Sequence, residues 1–287
     1  MKPFPSLLVK RLSLIGFVLL LCCFHSCEKF KVRISDNQLS SLLQNSSTKV
    51  KSQYLRTSQH TIRYITIGNS SKPPLLLLHG SPSSLAGWKQ LLLDTSFTNN
   101  YYLIAIDRPG YGYSNFGNIE NNIATQAQLL NTVLDSISLK NKITILGSSY
   151  GGPVAAAAVM QHPNRFEKLL LLSASVKPDA EKVYFISYFM AAPIIKYLFP
   201  AIFSMASIEK LGHSTQLKSL TEWQKINCSV VIIHGDKDNL IYYENALYAQ
   251  QQLKNASSLI TVTLHNKGHA LIFTEPAFLK KILRLYL

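Results

Sequence analysis

Gly147-Ser148-Ser149-Tyr150-Gly151 carries the pattern most suited to covalent chemistry in this chain. One serine has a glycine two positions away on either side. An apolar run, 143–146, comes directly before it, and Gly152 and Ala155 to Ala158 follow. A serine on a sharp strand-to-helix turn takes strained backbone angles, and its neighbours at minus two and plus two must be tiny to avoid collision. That register selects Ser149 over Ser148. The small residues that follow let a helix press close to the sheet. A serine hydroxyl is a poor nucleophile until a base takes its proton. Six histidines are candidates: His79, His162, His213, His234, His265 and His269. His269 is selected because Asn266-Lys267-Gly268-His269 is a loop between the last strand pattern and the final helix, able to reach the sheet's upper edge. His265 lies on the strand end, where the pleat fixes its direction. His162 precedes Pro163 and reads as a cap or surface residue. His213 falls in a lid, and His79 reads as a hydrogen-bonder within a turn.

The base needs an orienting carboxylate. His234-Gly235-Asp236-Lys237-Asp238 follows the apolar run 230–233. Asp238, a few residues past the strand end, is the choice, with Asp236 as the alternative. A tetrahedral intermediate needs two donors for its oxyanion. One is the Tyr150 N–H, at the positive end of a helix dipole. The other comes from His79-Gly80-Ser81-Pro82, after the apolar run 75–78. Pro82 has no N–H, so Ser81 is the expected donor.

These residues need a scaffold that brings distant strand ends together. Strand patterns at 54–55, 62–67, 75–78, 101–106, 143–146, 169–172, 230–233 and 259–264 alternate with helical patterns at 85–93, 123–139, 150–161, 244–253 and 276–285. Continuous apolar strands separated by helices predict an α/β fold with a mostly parallel, doubly wound sheet covered on both faces. Function in such sheets collects at the carboxyl ends of the strands. The alternation breaks at about 176–224, a largely helical, aromatic-rich segment read as a lid insertion.

In combination the motifs resemble the α/β-hydrolase fold family over residues about 54–287. His79-Gly80-Ser81-Pro82 resembles its H-G-x-P oxyanion loop, and Gly147 to Gly151 its nucleophile elbow. Asp107-Arg108-Pro109-Gly110-Tyr111-Gly112-Tyr113-Ser114 resembles its D-x-x-G-x-G-x-S turn, which is structural in the family. Gly235 to Asp238 resembles G-x-x-D, and Gly268-His269 the G-H before the final helix. The resemblance implies a Ser-His-Asp hydrolase acting through an acyl-enzyme, with no cofactor and no metal. Members that open epoxides or displace halides carry aspartate at the elbow, so Ser149 points to a carboxylic ester. The lid residues Val183 to Met190, Ile194, Ile195, Tyr197, Leu198 and Phe199 are expected to line an apolar acyl pocket. The rivals are a proline-type aminopeptidase, which would need acids in the lid such as Asp179, Glu181, Glu209 or Glu222, a carbon–carbon bond hydrolase, and a non-catalytic ligand sensor.

Composition suits this picture. The 287 residues are 47% hydrophobic and 15% charged, enough for one domain with a sizeable core. The net charge of +14 comes from scattered Lys and Arg without blocks of like charge, which reads as a dispersed basic surface and not a nucleic-acid site. At the N-terminus, Lys2, Lys10 and Arg11 precede the apolar run 12–24, too short for the ~20 residues of a membrane-spanning helix. Phe24-His25-Ser26-Cys27 resembles a bacterial lipobox. It implies a signal peptide over 1–26, a lipidated Cys27, a tether over 27–50 and a hydrolase domain over 51–287, held at a membrane of the cell envelope. An uncleaved N-terminal anchor and ordinary secretion are the alternatives. Cys228 is then the domain's one thiol, with no cysteine partner for a disulfide or thiolate metal site.

Overall fold

The apolar runs become strands of one eight-stranded sheet in the structure, a computed structural model that describes residues 32–43 and 50–287. The strands are β1 (Val50–Arg56), β2 (Thr61–Ile67), β3 (Pro74–Leu78), β4 (Tyr102–Ile106), β5 (Ile143–Ser148), β6 (Phe166–Leu172), β7 (Ser229–Gly235) and β8 (Ser258–Leu264). Their order is β1-β2-β4-β3-β5-β6-β7-β8. The first two ladders, β1 with β2 and β2 with β4, are antiparallel, and every ladder from β4 to β8 is parallel. Residues of β3 and β5 are buried throughout, as expected of strands covered on both faces. The pleat divides them: Leu75 and Leu77 pack into one core, Leu76 and Leu78 into the other. From β3 the chain steps to β4 on one side and then crosses back to β5 on the other. This reversal opens the crevice above the adjacent carboxyl ends of β3 and β5.

Helices cover both faces. They are α1 (Asp36–Leu42), α2 (Lys89–Leu92), α3 (Thr95–Thr98), α4 (Ile123–Asp135), α5 (Gly151–Gln161), α6 (Phe185–Ala191), α7 (Ala201–Lys218), α8 (Glu244–Gln252), α9 (Leu271–Thr274) and α10 (Pro276–Tyr286). The final helix is anchored at two levels. Leu279 and Leu283 are fully buried, while Lys280 Nζ lies 2.7 Å and Arg284 Nη2 3.2 Å from Asp94 Oδ2. Asp94 also caps α3 by accepting from Ser96 N at 2.9 Å. The lid expected at about 176–224 corresponds to α6 and α7 between β6 and β7.

The tether reading needs correction where the structure describes it. Ser35 and Gln38 form a reciprocal cap that starts α1. Ile34, Leu39 and Leu43 are buried in the core with Leu85 and Trp88. Arg63 of β2 donates to Ile34 O at 3.0 Å and to Asp36 Oδ1 at 2.5 Å. Residues 34–43 are therefore packed against the domain rather than spaced away from it. The signal-like segment 1–26 and Cys27 lie outside the described residues. No helix among the described residues is long and apolar enough to cross a membrane.

Candidate active site

Ser149 stands between β5 and α5 with φ of +51°, the left-handed region that a non-glycine residue rarely enters. The flanking glycines are required by distance. A Cβ on Gly147 would lie 2.4 Å from Gly151 O, and one on Gly151 would lie 2.5 Å from Leu78 O. Hydrogen bonds hold the strained residue on both sides: Ser149 N donates to Leu172 O at 2.9 Å, and Gly152 N and Ser175 N donate to Ser149 O at 2.9 and 3.2 Å. Ser148, one residue earlier, still belongs to β5.

Two other strand ends converge on this hydroxyl. His269 Nε2 is 3.1 Å from Ser149 Oγ, and His269 Nδ1 is 2.7 Å from Asp238 Oδ2. Asp238 is buried in the turn after β7, where its other oxygen accepts from Leu240 N at 3.0 Å and Ile241 N at 2.8 Å. Burial pushes its carboxyl up, but hydrogen bonding from His234 and His269 and the backbone bond from Ile241 hold it well below the usual carboxylate range. His234 Nε2 is shared, 2.9 Å from Ile241 O and 3.5 Å from Asp238 Oδ2. An ionised Asp238 leaves Nδ1–H as the proton on that side of His269, so Nε2 faces Ser149 as an acceptor. The alternative carboxylate, Asp236, is engaged elsewhere: it meets exposed His265 Nδ1 at 3.0 Å and accepts from Asn266 N at 2.7 Å.

The loop after β3 crosses directly above the serine. A Cβ on Gly80 would come within 2.9 Å of Ser149 Cβ and 3.5 Å of its Oγ, so glycine there keeps the approach open. Buried Arg108 fixes this loop by its carbonyls. Its Nε donates to His79 O at 3.0 Å and its Nη2 to Gly80 O at 3.2 Å. In a trans peptide the C=O and the following N–H point opposite ways. Holding Gly80 O toward Arg108 therefore turns the Ser81 N–H away from it. Neither the Ser81 N–H nor the Tyr150 N–H donates to protein among the described residues. His79 takes the structural part expected of it, accepting at Nε2 from Arg108 N at 2.9 Å. Burial and the nearby Arg108 charge hold its pKa well below the ordinary histidine value, so the ring is neutral. The Asp107 turn is structural too: Asp107 accepts from Leu85 N at 2.8 Å and Tyr113 N at 3.0 Å.

The family model of the alpha/beta hydrolase fold matches residues 73–204, from β3 through the elbow into the lid. The chain has the α/β-hydrolase fold. A solved esterase from Rhodococcus sp. ECU1013 shares it, with a TM-score of 0.62 and 18% identity, covering 83% of this chain and 98% of that one. Epoxide hydrolase 4 of Mus musculus is 27% identical over 124 residues, 42% of this chain and 34% of that protein. A 2-hydroxy-6-oxononadienedioate/2-hydroxy-6-oxononatrienedioate hydrolase of Escherichia coli is 33% identical over 101 residues, 34% of this chain and 35% of that protein. The matched stretch thus spans about a third of the length of these curated relatives.

On this α/β-hydrolase scaffold two cavities flank Ser149. One of about 160 Å³ is lined by His269, Trp88, Ile272 and Phe273. The other, of about 270 Å³, runs under the lid beside Tyr150 and Ser175. Of the expected lining of lid aromatics, only Tyr184 is found there. Of the predicted residues only Tyr184 and Ser187 reach it, while Phe185 is 81% and Ile194 76% exposed. The lid instead offers Lys182, Lys210, Glu209 and His213. Helix α6 buries none of its side chains fully, and Phe185, Ile186, Tyr188 and Phe189 are exposed.

A network with no signal in the sequence joins the lid to the loop after β3. Glu209 of α7 accepts from Arg108 Nη1 at 2.8 Å and Nη2 at 3.2 Å, and from Tyr111 O–H at 2.6 Å. Arg108 was visible beside Asp107, but nothing local links it to an acid 101 positions away. The other lid acids do not gather around an amine site. Asp179 pairs with Lys218, Glu222 with Lys225, and Glu181 accepts from Asn245 Nδ2 at 2.8 Å. Cys228 is buried, and burial pushes its thiol up to about 11. Among the described residues no group of three or more His, Cys, Asp or Glu side chains could hold a metal ion.

Proposed function

We propose that this protein is a hydrolase of carboxylic esters in which Ser149 is the nucleophile, His269 the general base and acid, and Asp238 the orienting carboxylate. The observation that carries the reading is the continuous hydrogen-bonded line from Ser149 Oγ through both nitrogens of His269 to Asp238, assembled from three separate strand ends. Ser149 Oγ attacks the ester carbonyl while its proton moves to His269 Nε2. The carbonyl π electrons move to oxygen, and the backbone N–H groups of Ser81 and Tyr150 receive that charge. Each such donor is worth roughly 3 kcal/mol in the transition state. Collapse breaks the bond to the alcohol oxygen, which takes the proton from His269 and leaves. Water then gives a proton to His269 and its oxygen to the acyl-enzyme. Collapse of this second intermediate returns the proton to Ser149 and releases the acid.

The epoxide-hydrolase likeness does not extend to the nucleophile type, since serine stands where those members carry aspartate. Carbon–carbon bond hydrolysis is the second reading, favoured by the 33% identity to the Escherichia coli enzyme. The test is turnover of p-nitrophenyl esters from acetate upward, with Ser149→Ala and Ser148→Ala beside the parent. Ser149→Ala is expected to lose roughly a thousandfold or more in kcat, and Ser148→Ala to keep most of it. Equal losses in both variants would overturn the assignment. A parent inert on esters whose Ser149 is still labelled by a fluorophosphonate would turn the reading to the carbon–carbon reaction.

A further inference from the structure

The two cavities beside Ser149 take different halves of an ester. His269 must hand its proton to the leaving oxygen, so the alcohol lies against His269, in the cavity that His269 lines. The lid cavity, which His269 does not line, is left for the acyl group. At about 270 Å³ it is small beside the ~300–1,000 Å³ of ordinary ligand pockets.

The charges on its lining are unbalanced. Glu209 lines it, but that carboxylate is held by Arg108 and Tyr111. Lys182 and Lys210 line it as well, and among the described residues neither ammonium has an ion-pair or hydrogen-bond partner. Lys182 is exposed and Lys210 half-buried, and burial pulls the Lys210 ammonium below the usual lysine value against the partial support of Glu181. Glu181 spends its carboxylate on Asn245 instead of an ion pair. His213 adds no counter-charge. Its ring lines the cavity and is 5% exposed, and its Nε2 is 2.8 Å from Ser175 Oγ, but its Nδ1 is buried without a partner. Burial and Lys210 bring its pKa down to about 3, so the ring is neutral. A partly desolvated ammonium with nothing to bind is costly unless an anion completes it.

We propose that the lid cavity receives a short acyl chain ending in a carboxylate, which Lys210 and Lys182 bind, so that the substrate is a hemi-ester of a small dicarboxylic acid. This rests on the ester-hydrolase reading above and names its substrate class. A neutral acyl group of the same length fills the space but leaves the ammonium groups unpaired.

The experiment compares the p-nitrophenyl hemi-ester of glutarate with p-nitrophenyl pentanoate on the full chain in detergent, in the parent and in Lys210→Met. Glutarate itself and neutral pentanamide are also tested for their effect on the melting temperature. The parent should prefer the hemi-ester by about tenfold or more in kcat/KM, and Lys210→Met should lower that ratio by about tenfold, chiefly through KM. Fluorophosphonate labelling of Ser149 shows that the variant is folded. Glutarate should raise the melting temperature of the parent and not of the variant. A parent that favours the neutral ester, or a ratio unmoved by Lys210→Met, overturns the proposal. If no ester is cleaved, the ester reading fails by itself. The anion site then stands if glutarate stabilises the parent and not the variant, and falls if glutarate does nothing.

Discussion

Ser149 is held where serine does not rest easily. Its φ of +51° places the backbone in a region that costs an L-residue roughly 1–2 kcal/mol and glycine almost nothing. The hydroxyl is therefore presented at the expense of stability, which can be measured by separating side chain from backbone. Ser149→Ala removes the hydroxyl and keeps the strain, whereas Ser149→Gly removes both. Both variants should be inactive, and urea unfolding should find the glycine variant more stable than the alanine one by about 1 kcal/mol. Equal stabilities would mean that the turn is not strained. At this scale the geometry of the candidate site was legible in the sequence. The glycines at 147 and 151 announce a backbone with no room for Cβ, and Asp238 and His269 follow apolar strands that end at the same edge. Between Asp236 and Asp238 the sequence alone could not decide, because the turn after β7 determines which of two nearby carboxylates faces inward.

Elements meet the site through a buried ion pair. Arg108, between β4 and α4, supports the loop after β3, and Glu209 of α7 neutralises Arg108, with both side chains about 1% exposed. The lid helix thus completes the loop that carries the proposed Ser81 donor. Removing one partner of such a pair leaves a buried charge and costs about 3–5 kcal/mol, while replacing both by apolar groups is often close to neutral. Glu209→Leu should lower the unfolding free energy by that amount, and the double variant Arg108→Met with Glu209→Leu should recover much of the loss. Fluorophosphonate labelling of Ser149 should be slowed in the double variant, which restores packing but not the donors to His79 O and Gly80 O. A double variant no more stable than Glu209→Leu would sink this account. The sheet was legible in the sequence because strands buried on both faces must be apolar throughout. The lid was legible as an insertion only. Its apolar residues look alike in sequence whether they face a cavity or solvent, and that choice is made by the tertiary contacts of α7. Helix α1 was missed for a related reason: a polar segment is anchored by three spaced apolar residues, Ile34, Leu39 and Leu43, and by Arg63 of a strand distant in sequence.

Across the whole molecule the charge is lopsided, with 29 basic residues against 15 acidic ones. Each carboxylate that works as an anchor therefore matters more as pH falls, because its loss adds to an already positive chain. Asp94 is the clearest case, because it ties the last helix back to α3 with a side chain only 11% exposed. Burial raises its carboxyl, but hydrogen bonds from Lys280 and Ser96 outweigh that and bring it down to about 2. A carboxyl depressed in the folded state binds fewer protons folded than unfolded. Its stabilisation is complete above the unfolded value near 4 and is lost as pH falls through about 2. Asp238 is depressed in the same direction, so the site and the C-terminal anchor weaken on the same side of the pH scale. Asp94→Asn should cost about 1–2 kcal/mol at pH 7, since the two-unit shift is partly screened by solvent around Arg284. Melting temperatures of parent and variant should converge between pH 4 and pH 2, because the parent loses there what the variant never had. A gap that stays constant down to pH 2 would mean that Asp94 acts as a neutral cap of α3 and that its ion pairs with α10 contribute nothing.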